Sequence, residues 1–437
     1  MNYSSKSFWL STVDIDLLPS LEGEHSCDVA IVGGGYTGLS TAYFLKKFDP
    51  DLDVVILEKE CVGFGASGRN AGFSMKLFGF SMAMTALRFG KENAVQAHHY
   101  MTEAVSLVRE LVEKHEIDCD YEHSGFFRIA TSEAYERRIR KEIDFAHANG
   151  VEDIEWWDAA RLADEVRSPL FRGAAWEPDS AILNPAKLVR GLKDVVEAMG
   201  VRIYEQTPVV TILRKPALAV ETPGGKLKAE RLVLATNAYS HFLPVSPSRQ
   251  APAFTYVVLT EPLQDRHFDA IGWKSRQGLE DARNMIHYFR LTADNRLLMG
   301  GSDVSVPFGQ NMDLDLCPPT FARIEENIRA LFPALNDVSI THRWGGPVSI
   351  TLDMAPALGF ASDERILYSV GCTGHGVSLT HLNGRTLAEL ALGMDTERTS
   401  MFFVNRTVPP WPPEPLRYAA SRAVRGALRL QDRFTDP

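Results

Sequence analysis

The stretch Cys27–Leu45 reads CDVAIVGGGYTGLSTAYFL, and its glycines have the spacing G-x-G-x-x-G. The residues before the glycines, Asp28–Val32, form a short run rich in β-branched side chains, which predicts a buried parallel strand. In the residues after them, Leu39–Leu45, apolar side chains recur at helical spacing. We therefore predict that a strand, a tight turn and a helix follow one another here, with the turn built on Gly33, Gly35 and Gly38.

A second strand and an acidic residue complete this unit. The sequence DVVILEK at 53–59 predicts a strand that ends at Glu58, 20 residues after Gly38. In a dinucleotide-binding unit the first glycine permits the turn, the second lets a pyrophosphate approach the backbone, and the third lets helix and strand pack closely. The helix N-terminus attracts the phosphates, and the acidic residue accepts hydrogen bonds from the ribose. The sequence therefore predicts a nucleotide cradle and not an incidental glycine turn.

A second glycine-rich loop follows directly. The residues 58–73 read EKECVGFGASGRNAGF, with four glycines within ten residues. Such a backbone can pass close to a flat ligand, which favours FAD over NAD as the dinucleotide, while a surface loop without ligand is the alternative. Arg69 is a candidate for contact with cofactor or substrate. The expected cofactor contacts of this region are Glu58, Lys59, Gly65, Ser67, Gly68, Arg69 and Asn70.

Later parts of the chain are expected to complete the cofactor site. Glu205–Leu213 reads as a strand that meets the adenine through Val209, and the strand before Thr236 runs into a turn of small residues. Near the C-terminus a strand at Ile366–Val370 leads through a glycine loop into a helix that begins at about Ser378. We expect the N-terminus of this helix to point at the flavin ring and to stabilise its negative charge. The contacts expected there are Gly374, His375, Gly376, Val377 and Ser378, with His375 either catalytic or positioning.

Composition excludes several other classes of protein. The chain has 437 residues, 45% of them hydrophobic and 23% charged, and a formal net charge of −10. This charge argues against a surface devoted to nucleic acid. The five cysteines form no C-x-x-C pair, so we expect no metal site and free thiols in a reducing compartment. The N-terminus lacks a signal-peptide core, and no apolar run approaches the roughly 18 residues of a spanning helix. We expect a cytoplasmic protein without a membrane span.

Several sequence blocks resemble the FAD-dependent amine oxidoreductases of the D-amino-acid-oxidase superfamily, which includes glycine and sarcosine oxidases. The resemblance is closest to the γ-glutamylputrescine oxidase-like branch. It covers about residues 28 to 393 and rests on GASGRNAGF at 65–73, SGFFRIATS at 124–132, ILNPAKLVRGL at 182–192, ATNAYS at 235–240, DARNMIHYFRLTADNRLLMGGSD at 281–303, RWGGPVSITLDMAPALG at 343–359 and GCTGHGVSLTHLNGRTLAELALG at 371–393.

Two departures from the family bear on the chemistry. The covalently flavinylated relatives attach FAD through a cysteine in the stretch corresponding to Arg343–Thr351, where this chain has none. The resemblance therefore implies non-covalent FAD. Sarcosine-type enzymes also carry a lysine linked to oxygen activation where this chain has Leu298, and a substrate-carboxylate lysine where it has Ser378. Both oxygen and a separate electron carrier stay open as the acceptor of the electrons.

The resemblance and the residue pattern together predict an α/β (α+β overall) fold with two interleaved domains. A Rossmann-like FAD-binding domain is expected to comprise residues 1–84, 167–245 and 345–437. An antiparallel-sheet substrate domain is expected to comprise residues 85–166 and 246–344. The turn TADN at 292–295 predicts a hairpin within that sheet.

The expected reaction is oxidation of the C–N bond of a primary or secondary amine, with hydride transfer to flavin N5 and hydrolysis of the resulting imine to an aldehyde or keto product. A γ-glutamylputrescine-like amine, an aminophosphonate or an amino acid fits this reading. The alternatives are an FAD- and NAD(P)H-dependent hydroxylase and a flavin-bound subunit that needs a partner chain. Alternation on the strand HYFR puts His287 and Phe289 on one face and Tyr288 and Arg290 on the other. The candidate catalytic or substrate-binding residues are Arg69, His287, Tyr288, Arg290 and His375.

Overall fold

The structure is a computed structural model that describes residues 2–243, 249–309 and 311–435. The strands of these residues form two large sheets and one small one. In chain order the strands are β1 (Gly23–Val32), β2 (Val54–Leu57), β3 (Phe73–Ser74), β4 (Phe126–Ala130), β5 (Glu155–Asp158), β6 (Gly173–Glu177), β7 (Ala181–Ile182), β8 (Arg202–Tyr204), β9 (Thr211–Leu213), β10 (Ala219–Glu221), β11 (Gly225–Leu234), β12 (Ala251–Pro262), β13 (Gly278–Asp281), β14 (His287–Leu291), β15 (Arg296–Gly301), β16 (Ile340–Ile350), β17 (Ala357–Phe360) and β18 (Ile366–Val370).

The helices lie mainly on the faces of these sheets. In chain order they are α1 (Tyr36–Phe48), α2 (Met82–Phe89), α3 (Lys91–Lys114), α4 (Glu133–His147), α5 (Ala159–Ala163), α6 (Pro185–Ala198), α7 (Asp265–Ile271), α8 (Pro318–Leu331), α9 (Gly376–Ala391) and α10 (Leu416–Thr435). In the residues that the structure describes, no helix combines the length and the apolar composition that crossing a membrane requires.

The first sheet holds the predicted nucleotide unit. Its strand order is β17-β18-β11-β1-β2-β8, and β1 pairs in parallel with both β2 and β11. All four residues of β2 are buried, as expected of a parallel strand covered on both faces. The helix α1 follows β1 directly and packs against α9, where a Cβ at Gly384 would lie 2.6 Å from the Cβ of Ser40. This close contact of the two helices brings both of their N-terminal ends to the same edge of the sheet.

The second sheet is mixed and mostly antiparallel, with the order β16-β12-β15-β14-β13-β4-β6-β5. The predicted hairpin is present, because β14 and β15 pair antiparallel on either side of the turn at 292–295. One face of this sheet packs on α8 in an apolar core that includes Phe289, Ile324 and Phe332. The predicted fold class, a Rossmann-like layer combined with an antiparallel-sheet layer, is confirmed.

The predicted domain limits and the sheets differ at three places. The strand β6 pairs with β4 in the second sheet, although the limits assign 167–245 to the FAD-binding domain. The helix α3 packs in the core of the first sheet, although 85–166 is assigned to the substrate domain. The limit at 345 falls inside β16, and the limit at 245 lies outside the described residues. The division into two discontinuous domains therefore stays a proposal. Its limits have to be moved so that each strand is assigned to the domain of the sheet in which it pairs.

One predicted strand is shorter than expected. Of the stretch Glu205–Leu213, only β9 at Thr211–Leu213 is extended in a sheet. The preceding residues are held by other contacts, since the amide N–H groups of Gln206 and Thr207 donate to the carbonyls of Glu60 and Glu58. Pro208 follows and has no N–H for strand pairing. This local pairing places Val209 beside the end of β2 without a continuous strand.

Candidate active site

A cavity of about 580 Å³ extends between the two large sheets. One end is lined by the turn after β1 and by Glu58 at the end of β2. The other end is lined by β4, β13 and β14, through Arg128, Glu280 and Tyr288. This volume and its mixture of apolar walls with a few polar groups are typical of a site for a cofactor and a small substrate.

The end of the cavity at β1 has the geometry of a dinucleotide cradle. Gly33 has φ +113°, and a Cβ there would lie 2.6 Å from the carbonyl oxygen of Ala235. A Cβ at Gly38 would lie 2.0 Å from the carbonyl oxygen of Gly33. The Glu58 carboxylate accepts the N–H groups of Gly34 at 2.7 Å and Glu60 at 2.9 Å, while burial raises the pKa of Glu58 to about 7. These residues fit an adenosine diphosphate moiety, since no side chain fills the turn and the acid lies where a ribose binds.

Most of the predicted cofactor contacts meet in this cavity. The predicted residues that line it are Gly33, Gly35, Glu58, Lys59, Gly65, Ser67, Arg69, Asn70, Val209, Thr236, Tyr288, Gly374, His375, Gly376 and Val377. Five others, Gly38, Gly68, His287, Arg290 and Ser378, lie outside its lining. Gly38 and Gly68 act in packing, because a Cβ at Gly68 would lie 2.4 Å from the carbonyl oxygen of Gly63. Ser378 is fully buried and donates to the carbonyl of Met75 at 2.8 Å.

The glycine-rich loop is held in place by Arg69. Its guanidinium donates to Asp315 at 2.8 Å, to the hydroxyl of Tyr239 at 2.9 Å and to the carbonyl of Gly65 at 3.2 Å. The indole N–H of Trp344 donates to the carbonyl oxygen of Arg69 at 2.9 Å. Arg69 thus ties the loop to the second sheet, and its side chain forms part of the cavity wall.

His375 lies at the N-terminal end of α9 and faces the cavity. Its Nδ1 atom is buried and has no hydrogen-bond partner in the described residues. Burial and the positive charge of Arg128 lower the pKa of His375 to about 4, so the imidazole is neutral at pH 7. A neutral ring with one free nitrogen can donate or accept a hydrogen bond toward a bound group.

The strand β14 resolves which face of HYFR points into the cavity. Tyr288 lines the cavity, whereas His287 lies on the opposite face with its Nδ1 atom 2.9 Å from the Asp281 carboxylate. Arg290 lies on the same face of β14 as Tyr288, but its guanidinium lies beyond the cavity lining. Its guanidinium donates to the carbonyls of Leu183 at 2.6 Å and Gly72 at 3.0 Å. This placement gives Arg290 a structural contact with the end of the glycine-rich loop.

The sequence interpretation missed the charged residues at the far end of the cavity. Arg128 and Arg138 line it together with Glu280 and Arg283. The relevant pairing joins β4 to β13, with Arg128 opposite Glu280, across 152 residues of chain. The only local signal was the appearance of charged residues within otherwise apolar strands, as at Arg128 in FFRIA.

The helix α10 supports the loop that forms this end of the cavity. The buried Asp432 carboxylate accepts the backbone N–H groups of Asn284 and Met285 at 2.9 and 2.8 Å, and the hydroxyl of Tyr135 at 3.1 Å. Asn284 and Met285 both line the cavity. One carboxylate of the C-terminal helix therefore fixes the backbone of the cavity wall.

We expect Asp432→Ala to loosen this loop. Charge-assisted hydrogen bonds contribute about 1.5–3 kcal/mol each, and misplacement of a binding wall weakens substrate binding. The expected result is a rise in KM for a reducing substrate of about tenfold, or about 1.4 kcal/mol. Steady-state kinetics measure the change in KM. The control is Gln431→Ala, which replaces an exposed residue next to Asp432. Unchanged KM in Asp432→Ala would show that the loop keeps its conformation without α10.

Known proteins resemble the chain over nearly all of its length. A family model described as "FAD dependent oxidoreductase" (DAO) matches residues 28–390. γ-Glutamylputrescine oxidoreductase of Escherichia coli (strain K12) is 34% identical over 379 residues, which is 86% of each chain. Sarcosine oxidase subunit beta of an Arthrobacter species is 25% identical and covers 84% of this chain and 87% of its own.

Solved structures show the same fold. The structure of glycine oxidase from Geobacillus kaustophilus superposes with a TM-score of 0.74 at 22% identity, covering 88% of this chain and all of the other. L-α-Glycerophosphate oxidase from Mycoplasma pneumoniae, solved with FAD bound, superposes with a TM-score of 0.68 at 16% identity, covering 89% and 97%. Because the family model spans the nucleotide cradle and both large sheets, this chain belongs to the DAO family of FAD-dependent oxidoreductases, and FAD is its cofactor.

Proposed function

We propose that this protein oxidises an amine that also carries an acidic group. One observation supports this most directly: the FAD cradle opens into a chamber whose walls carry both a buried carboxylate and arginines. The carboxylate of Glu280 complements an ammonium group, and Arg128, Arg138 and Arg283 complement an anionic group. The relatives support the same class, since γ-glutamylputrescine, sarcosine and glycine are the compounds in their names.

The chemistry divides between cofactor and chain. Bound FAD supplies the acceptor for a hydride from the carbon beside the nitrogen, and the oxidised product, an imine, is hydrolysed. The aromatic side chains of Phe73, Phe126 and Tyr288 line the chamber and give it a mainly apolar wall. Desolvation lowers the pKa of a bound amine from about 10, which favours the neutral amine that can lose hydride. Tyr288 keeps its proton, because burial raises its pKa to about 12.

The electron acceptor is part of the proposal. Leu298, at the position of the family lysine linked to oxygen activation, is fully buried in an apolar cluster with Trp344 and Val257. No cation is therefore contributed at this position, and we retain both oxygen and an electron carrier as acceptors. We also place the protein in the cytoplasm, in agreement with five cysteines that are all free thiols.

An anaerobic titration of the FAD-loaded protein tests the function. We expect γ-glutamylputrescine to reduce the flavin at a lower concentration than putrescine, which lacks the acidic group. We expect it also to act at a lower concentration than sarcosine or glycine. Loss of the absorbance of oxidised flavin is the measurement, and admission of air afterwards separates an oxidase from a dehydrogenase. NADPH is the comparison reductant. Reduction by NADPH and by none of the amines would contradict the proposed function.

A further inference from the structure

We propose that Glu280 binds the ammonium group of the substrate and accepts its proton, which leaves the neutral amine for oxidation. This inference rests on the proposed function, because it requires an amine in the chamber. It assigns to this reaction a proton acceptor that the sequence did not indicate.

The position of Glu280 is set by strand register. On β13 it pairs with Arg128 of the parallel neighbour β4 and with Tyr288 of the antiparallel neighbour β14. Paired residues of adjacent strands lie about 4.5–5.5 Å apart and point to the same face. All three side chains line the cavity, so they form one row across its wall.

The Glu280 carboxylate lies in the cavity wall and makes no hydrogen bond to the described residues. The residue is 5% exposed, and no hydrogen bond or ion pair within the described residues involves its carboxylate. Its neighbour Asp281 differs, since that carboxylate accepts the backbone N–H of His287 at 2.9 Å and contacts the imidazole of the same residue. A buried carboxylate without a hydrogen-bond donor lowers the stability of the folded protein. The position of Glu280 in a cavity wall therefore indicates that a bound molecule donates a hydrogen bond to its carboxylate. An ammonium group is such a donor.

Burial and the surrounding charges bring the pKa of the Glu280 carboxyl close to neutral pH, so both of its protonation states are accessible there. Burial raises the pKa of Glu280 to about 7, with Arg128 on β4 opposing the shift and the negative charges of Asp281, Glu177 on β6 and Glu142 on α4 adding to it. The guanidinium of Arg128 already forms an ion pair with Glu142. Tyr288 on β14 is protonated, and the same end of the cavity lining carries the guanidinium groups of Arg138 and Arg283. Glu280 is therefore ionised above about pH 7 and can then receive a proton.

The proton moves from the ammonium group of the substrate to the carboxylate of Glu280. One N–H bond of the ammonium breaks, its electron pair stays on nitrogen, and the proton forms an O–H bond with Glu280. The products are a neutral amine and a neutral carboxylic acid, which removes two opposite charges from a chamber with mainly apolar walls. A proton acceptor with a pKa near the working pH is the efficient case for such transfer.

The pH dependence of flavin reduction tests the inference. With the amine that reduces the wild-type protein, we expect the rate constant to fall as pH decreases below about 7, because Glu280 is then protonated. In Glu280→Gln the rate at pH 7 is expected to fall by about 100-fold or more, and to rise about tenfold per pH unit toward the pKa of the free amine near 10. Glu177→Gln removes another carboxylate near Arg128 but outside the cavity lining. It should keep the loss of rate at low pH, with the midpoint below that of the wild type, because the negative charge of Glu177 helps to raise the pKa of Glu280.

A binding measurement tests the same residue without turnover. tert-Butylamine has no hydrogen on the carbon beside nitrogen, so it cannot be oxidised. We expect it to perturb the spectrum of the bound oxidised flavin, with a Kd at least tenfold higher in Glu280→Gln than in the wild type. The FAD content of the variant should be unchanged and its Tm no lower than that of the wild type, because the substitution replaces a buried carboxylate by a neutral amide of the same shape.

The outcomes separate the two proposals. Equal pH profiles and equal tert-butylamine affinities in Glu280→Gln and wild type would overturn the role of Glu280 while leaving amine oxidation intact. A wild-type protein that no amine reduces would overturn the proposed function, and the role of Glu280 with it.

Discussion

Replacement of Gly38 by alanine is expected to weaken FAD binding by roughly 100-fold or more. The added Cβ would lie 2.0 Å from the carbonyl oxygen of Gly33 and 3.3 Å from the side chain of Ile31. The first contact is with backbone, which cannot rotate away, and Gly33 is already held at φ +113° against Ala235. The helix α1 must therefore move away from β1. Its N-terminal amides then leave the position at which they bind the pyrophosphate.

The expected size of this effect follows from the cost of overpacking. Inserting a methyl group into a well-packed region costs about 1–3 kcal/mol, and a backbone collision lies at the upper end. About 3 kcal/mol corresponds to a loss of roughly 100-fold or more in FAD affinity. The measurement is the FAD content after purification and the Kd for added FAD by flavin fluorescence.

The matched control for this variant is Gly426→Ala. Gly426 lies within α10, and apart from the backbone of that helix no atom of the described residues lies within 4 Å of a Cβ built there. Alanine is favoured over glycine in a helix by about 0.5–1 kcal/mol, so this variant should retain FAD and gain slightly in stability. Normal FAD affinity in Gly38→Ala would mean that the turn and helix can separate without loss of the phosphate site.

The sequence predicts the FAD cradle well because its parts are contiguous. Gly33, Gly38 and Glu58 belong to one strand–helix–strand unit, and the physical role of each follows from its distance along the chain. The glycine loop before α9 was predicted for the same reason, since a strand, a loop and a helix follow one another there. The order of residues along the chain is sufficient to predict a site that one continuous segment forms.

The substrate end of the cavity was poorly predicted because its residues come from distant segments. Glu280 and Arg128 meet only through the parallel pairing of β13 with β4, and no periodicity within either strand reveals that pairing. Alternation correctly separated Tyr288 from His287, but it could not show which face meets the cavity or where the long side chain of Arg290 ends. Side-chain length and strand register are properties of the assembled sheet.

The contacts of Arg290 lead to the second large prediction, in which Arg290→Met destabilises the protein. Arg290 is 1% exposed, and its guanidinium donates to the carbonyls of Gly72, Leu183 and Leu291 at 3.0, 2.6 and 3.0 Å. The Gly72 carbonyl also accepts the N–H of Leu183 at 2.9 Å and so keeps a donor, whereas each buried acceptor that is left without a donor costs about 1–3 kcal/mol. We expect the free energy of unfolding to fall by roughly 3–5 kcal/mol, measured by urea denaturation of the FAD-loaded protein.

Two further variants distinguish a structural role for Arg290 from substrate contact. Arg290→Lys keeps a donor for part of these carbonyls, so about half of the stability should return while KM for the amine stays close to that of the wild type. Arg137→Met removes an exposed arginine paired with Glu133 and should change stability by about 0.5 kcal/mol or less. A folded Arg290→Lys with normal stability and a KM raised tenfold or more would instead place Arg290 on the substrate. The buried carbonyls around its guanidinium argue for the first result, since they engage its Nε and Nη1 donors.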